Sequence, residues 1–315
     1  MTRMAQGKAS ALRVVSLLPS ATEIAWALGA GDALVGISHE CDFPAEVRGR
    51  RVLTRARIDV HGSSRAIDAA VRAVARDALS IYEVDEAALA ALEPDVILTQ
   101  DLCEVCAVSL DDVRAAVARL TRRDRLRIVS LSPTRLADVL ADVERVATAL
   151  DLAAEGRRLV AALSSRLEAV RARSTALASK PRVVSIEWLE PLMLGGTWMP
   201  ELIMLAGGEA LGAGPGEPAP TVTAERLAEL RPDVVVVKPC GFTLERALAE
   251  RALIERTIAG PLRGNARVYV TDGNAFFNRP GPRLVESLEI MAACVHPEVF
   301  ADFALKHAAV IDRVE

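Results

Sequence analysis

The chain has 315 residues, enough for two domains with buried cores. Its 51% hydrophobic and 25% charged residues are ordinary globular composition, and a net charge of −4 excludes nucleic acid as the main partner. Aromatic residues make up only 3%, which predicts an aliphatic core.

The N-terminal stretch "MTRMAQGKASALRVVSLLPSATE" has no apolar h-region, and no later run is long enough to span a bilayer. A cytoplasmic location with no membrane insertion is the expectation, and thiols stay reduced there. Five cysteines, an odd number, do not suit a closed disulfide framework.

The first strand is "RVVSLLP", residues 13–19. It leads into a helix in which Ser20 is the expected cap and Glu23 stands at capping-box spacing. "LVGIS" (34–38) is the second strand. The helical "DEAALAALEP" leads to "DVILTQ" (95–100), and "SLDDVRAAVARL" leads to "LRIVSLS" (126–132). This alternation predicts a parallel sheet covered by helices. From 133 to 179 strand signals vanish and two helices follow, the second about 25 residues and so nearly 40 Å long. The second half then repeats the first: "RVVSIEW" (182–188) echoes "RVVSLLP", and "TAERLAELRPDVVVVKP" (223–239) echoes the stretch from 85 to 100. The last helix opens on Pro280 and Pro282, where a missing N–H costs nothing. The predicted fold is α/β: two Rossmann-like lobes, 12–152 and 180–315, joined by a long backbone helix, 153–179.

Ligands of open α/β sheets bind beyond the carboxyl ends of the strands. Those ends carry His39, Glu40 and Cys41; Cys103 and Cys106; Glu187 and Trp188; Cys240 and Phe242; and Asn274, Phe277 and Arg279. Trp198 adds another aromatic ring for a flat, partly apolar ligand. If the lobes face one another across a cleft, Cys41, Cys103, Cys106, Cys240 and His39 form a dispersed set of soft metal ligands. The Cys103–Cys106 pair fits a redox dithiol at a helix start as well, or two small buried side chains. Four thiolates also suit an Fe–S cluster, and thiolate with imidazole suits zinc, in a cytoplasmic metalloprotein. Cys294 belongs to a helix core, and His61, His296 and His307 to loops or helix surfaces. No Ser-His-Asp triad, phosphate loop or dinucleotide fingerprint is present, so an enzyme is not expected; a cysteine-rich cleft leaves only redox or metal-dependent chemistry open.

The motifs "RVVSLLPSATEIAWALGAGDALVGIS", "LAALEPDVIL", "GGTWMPELIMLAGG" and "GPRLVESLEIMA" resemble the vitamin B12 and ferric-siderophore substrate-binding proteins of ABC transporters, over about residues 12–298. "HECDFP", "TQDLCEVCAVS", "PCGF" and "DGNAFFNRPGPRLVE" resemble the branch of cobalamin-binding proteins. The resemblance implies a fold of the class III periplasmic-binding-protein type and cobalamin or another corrinoid in the cleft. His39 or a thiolate would meet cobalt, and Trp188, Trp198 and Phe277 would pack on the ring. Members dock on their permease through an acidic residue on each lobe; Glu225 matches one, but the other falls on Ala87, with Glu86 beside it. Docking on an ABC permease is therefore not the leading expectation, and a role as the substrate-binding component of an ABC transporter stands as an alternative reading.

Overall fold

The computed structural model describes residues 12–76, 81–100 and 126–314. Internal contacts divide the chain into two compact units. Unit 1 takes Met1–Arg57, Ser80–Ser132 and Glu144–Arg157; unit 2 takes Ile58–Leu79, Pro133–Val143 and Arg158–Glu315.

Unit 1 holds β1 (Val14–Ser16), α1 (Pro19–Ala27), β2 (Leu34–Ile37), β3 (Arg51–Val52) and β4 (Thr54–Ala56). Beyond a segment that belongs to unit 2 come β5 (Tyr82–Val84), α3 (Glu86–Ala91), β6 (Val96–Gln100) and β7 (Arg127–Leu131). The sheet has the order β3-β2-β1-β6-β7 with every neighbour parallel, while β4 and β5 form a separate antiparallel pair. Val14, Val15, Ile97 and Leu98 are fully buried, as befits parallel strands covered on both faces.

The helix α1 corrects one expectation. It begins at Pro19, Leu18 is its N-cap, and among the described residues no side chain caps it. Proline at the first turn makes a cap from Ser20 redundant, because its nitrogen has no proton to satisfy. Ser20 is instead buried inside the helix.

Two helices follow, α4 (Leu136–Ala149) and α5 (Ala153–Thr175), the latter 23 residues long. Unit 2 continues with β8 (Arg182–Trp188), β9 (Met193–Leu194), α6 (Met199–Leu205), β10 (Glu209–Ala210), α7 (Ala224–Glu229), β11 (Val234–Val237) and α8 (Leu244–Ala249). It closes with β12 (Arg267–Thr271), α9 (Leu284–Val295), α10 (Ala301–Lys306) and β13 (Ile311–Val314). Its sheet runs β10-β8-β11-β12-β13, with β13 antiparallel at one edge and β9 paired to β8.

The internal repeat is physical. In both units the first strand sits between the second and third, giving β2-β1-β6-β7 and β10-β8-β11-β12. The shared Pro-Asp marks the same joint in each. Asp95 accepts from the Arg13 N–H at 2.9 Å, and Asp233 accepts from the Arg182 N–H at 2.7 Å. The residues before these joints, Glu93 and Arg231, both have positive φ. Each preceding helix is capped by a side chain, Asp85 for α3 and Thr223 for α7.

Unit 2 also holds α2 (Ser64–Arg76), from the segment between β4 and β5. Ile67 joins the core cluster of Val184, Ile186, Val235 and Val237, with Ile58 and Val71 packed against it. Glu250 receives the Ser64 N–H at 2.7 Å and the Ser64 hydroxyl at 2.6 Å. Arg246 donates to the carbonyls of Val60 and Gly62 while its guanidinium lies 3.9 Å from the Phe242 ring centroid. Glu250→Ala is expected to destabilise α2 by about 1–2 kcal/mol, the usual loss on removing a helix cap. Amide exchange across 64–74 is the measurement, and unchanged protection there would contradict the assignment.

Candidate functional site

In unit 1 the end of β2 delivers His39, Glu40 and Cys41. The His39 backbone N–H donates to Thr54 Oγ1 at 3.0 Å, and His39 Nδ1 lies 2.7 Å from the same oxygen. Thr54 passes its own proton to Ser38 Oγ at 3.0 Å, so Nδ1 carries the ring proton and Nε2 a lone pair. Nε2 is enclosed and has no hydrogen-bond partner among the described residues; Glu40 Oε1 is 3.8 Å away. Burial lowers the His39 pKa and Glu40 opposes it, with the net shift downward, so the ring is neutral near pH 7. Tyr82 packs on the imidazole at 5.2 Å between centroids and donates to Glu40 Oε1 at 3.1 Å. Cys41 is buried, with Sγ 3.0 Å from Thr22 Oγ1. Cys103 and Cys106 lie outside the described residues.

In unit 2 the ends of β8, β11 and β12 converge. Glu187 and Trp188 end β8, and the Cys240 N–H donates to the Glu187 carbonyl at 3.0 Å. Trp188 meets the Phe242 ring edge-on at 5.4 Å, but Phe242 itself is buried in the core. Asn274 Oδ1 accepts from Arg279 at 2.9 Å, and the Asn274 N–H donates to the Phe242 carbonyl at 2.9 Å. Trp198 and Phe277 are buried together, the indole N–H donating to the Phe277 carbonyl at 2.8 Å. The most accessible of the expected aromatic residues is therefore Trp188. The sequence-predicted residues thus form one group in each unit: His39, Glu40 and Cys41 in the first, the rest of the described ones in the second.

Sequence reasoning missed Lys238. It ends the apolar run of β11 and is 1% exposed, yet its ammonium lies 3.2 Å from Glu187 Oε2 and donates to Asn278 Oδ1 at 2.9 Å. The signal was present: a charged residue continuing "VVVV" directly before the Pro-Cys-Gly turn. Gly273 crosses above it so closely that a Cβ would stand 2.1 Å from the Pro239 carbonyl oxygen and 2.6 Å from that of Lys238.

A second cluster also departs from expectation. His307 is buried rather than at a helix surface, with Nε2 2.8 Å from Glu289 Oε2. Lys306 and Arg166 reach the same carboxylate, each at 2.7 Å. Cys294 is in the core, its thiol pushed up to about 12 by burial. Among the described residues no three His, Cys, Asp or Glu side chains gather to hold a metal ion, so nothing there supports the Fe–S or zinc alternatives. No described helix is long and apolar enough to cross a membrane.

The vitamin B12-binding protein of Vibrio parahaemolyticus is 23% identical over 297 residues, covering 91% of this chain and 89% of that one. An uncharacterised ABC transporter substrate-binding lipoprotein of Bacillus subtilis, YvrC, is 22% identical over 301 residues, covering 92% and 82%. In structure, a periplasmic heme-binding protein from Pseudomonas aeruginosa superposes with a TM-score of 0.66 at 19% identity, covering 91% of this chain and 93% of that one. That likeness is one of fold, and it is the two-lobed α/β architecture of class III periplasmic binding proteins.

Two expectations are corrected by these relatives. The cytoplasmic location fails because the family is periplasmic and the Bacillus relative is a lipoprotein, both of them classes found outside the cytoplasm. Where this chain begins carries no information on export. The expectation against docking on an ABC permease likewise finds no support, since the Bacillus relative is an ABC transporter substrate-binding protein. The pattern that defines the family Periplasmic binding protein matches residues 14–260, most of the chain, and the chain belongs to that family.

Proposed function

We propose that this protein is the substrate-binding component of an ABC transporter, that its cargo is cobalamin or a related corrinoid, and that it delivers this cargo to a membrane permease. The similarity to vitamin B12-binding proteins over nine-tenths of the chain carries this reading. The geometry agrees with it. At the end of β2 a partly exposed imidazole, His39, stands beside the carboxylate of Glu40. At the ends of β8, β11 and β12 a half-buried indole, Trp188, stands beside polar groups that suit a macrocycle with an apolar face and a polar rim. Glu40, Cys41, Cys240, Asn274 and Arg279 belong to the same two groups, and Cys103 and Cys106 complete the proposed set in sequence.

Purified protein titrated with aquocobalamin is expected to shift the corrinoid absorption bands and to release or absorb heat with one-to-one stoichiometry. An unchanged spectrum together with a flat calorimetric trace at micromolar protein would overturn the proposal. Haem is the competing cargo, because the Pseudomonas aeruginosa structure is of a heme-binding protein. Haemin titrated in the same way decides between them.

A further inference from the structure

We infer that Glu187, held in place by Lys238, reads the rim of the cargo, accepting primary amides and rejecting carboxylates. This rests on the proposed function, in which the cargo is a tetrapyrrole-like macrocycle delivered to a permease.

The buried lysine at this strand end is an expensive arrangement. An ammonium with almost no exposed surface is tolerated only when it is paired and hydrogen-bonded. Lys238 has two such partners, Glu187 Oε2 at 3.2 Å and Asn278 Oδ1 at 2.9 Å. The Asn278 amide cannot turn, because its Nδ2 donates to the Lys238 carbonyl at 3.1 Å and to the Gly273 carbonyl at 2.8 Å. The backbone on either side is equally fixed by the close passage of Gly273 over residues 238 and 239. Lys238 is therefore a rigid post.

The post fixes one oxygen of Glu187. Oε2 faces inward to Lys238 and also receives the Gly196 N–H at 3.4 Å. Oε1 has no partner among the described residues, and the side chain keeps 26% of its surface exposed. Here the cation is sealed and the anion looks outward, at the carboxyl end of β8 where ligands of such sheets bind.

An outward carboxylate oxygen on a rigid mount favours N–H donors and opposes anions. A corrinoid rim carries primary amides, which donate. Haem carries two propionates, which would bring a second negative charge against Glu187 with the balancing ammonium out of their reach. A hydrogen bond to a charged group and the loss of one like-charge contact each correspond to roughly tenfold in affinity.

The test compares wild type with Glu187→Gln, whose side chain keeps an acceptor for Lys238 and preserves shape. Both are titrated with cobalamin, with a cobalamin monocarboxylic acid in which one rim amide is hydrolysed, and with haemin; circular dichroism verifies folding. Wild type is expected to prefer cobalamin to the monocarboxylic acid and to haemin, and the variant to narrow both preferences by about tenfold. A variant that binds cobalamin while keeping wild-type preferences overturns this inference alone. A variant that weakens all three ligands equally makes Glu187 a structural residue and overturns it too. Wild type that binds none of the three overturns the proposed function itself.

Discussion

Replacing Glu289 by glutamine is expected to lower stability at neutral pH by about 3 kcal/mol and to flatten its decline in acid. Glu289, on α9, is where two cations and an imidazole meet: Arg166 from α5, Lys306 at the end of α10, and His307 just beyond. Glu286 holds the other arm of Arg166 at 2.9 Å. Burial alone would raise the Glu289 carboxyl, but hydrogen bonds from His307, Lys306 and Arg166 outweigh it and bring the pKa from 4.5 down to about 2. A group whose folded pKa is depressed stabilises the fold above its unfolded pKa and loses that contribution as pH falls through the folded one. The contribution is thus complete above about pH 4.5 and gone near pH 2. A depression of that size is worth about 3 kcal/mol. Arg166 and Lys306 are half-exposed and regain water in the variant, whereas His307 is sealed and faces an amide that can offer it only one acceptor. Denaturant melts from pH 2 to pH 7 provide the measurement. Parallel curves for the two proteins would mean that the cluster contributes no acid-dependent stability.

Gly273→Ala is expected to be at least as damaging, by about 3 kcal/mol or more. The added methyl would lie 2.1 Å from the Pro239 oxygen and 2.6 Å from the Lys238 oxygen. These are backbone atoms, so no rotamer change relieves the clash, and displacing the strand end breaks the Gly273–Asn278 bond that orients Lys238. Gly264 supplies the contrast. It has φ +72° but, among the described residues, nothing within 4 Å of an added Cβ, so alanine there should cost only about 1 kcal/mol of backbone strain. Thermal melts of both variants give the comparison, and equal losses would refute the close approach at 273.

What was legible in the sequence was whatever acts locally. The Pro-Asp joints at 95 and 233 were visible as a repeat because each does its work within its own strand and helix. The alternation of apolar runs with helices gave the two α/β units, and the long helix α5 was readable from its spacing. The strand-end rule placed His39, Glu187 and Cys240 at or just after the ends of β2, β8 and β11, where they lie, because topology alone puts such residues at sheet ends. What failed depended on distant partners. Nothing near His307 in sequence announces Glu289, so it read as a surface histidine. Phe242 and Phe277 looked like ligand contacts, but an aromatic ring at a strand end can turn inward, and both do. Lys238 was passed over because a lysine after four valines reads as the solvated end of a strand. The location failed for another reason, since export is not encoded in the folded domain.

The route of the backbone has a consequence for synthesis. Because 58–79 is built into unit 2, neither unit is one continuous stretch of chain. Ile67 leaves the ribosome more than a hundred residues before the β8 and β11 valines that will cover it. A fragment ending at residue 152 would carry α2 with its apolar side bare, and a fragment starting at 180 would lack a piece of its own interior. Halves of this protein made separately should therefore be sticky and poorly folded, and should recover solubility only when produced together.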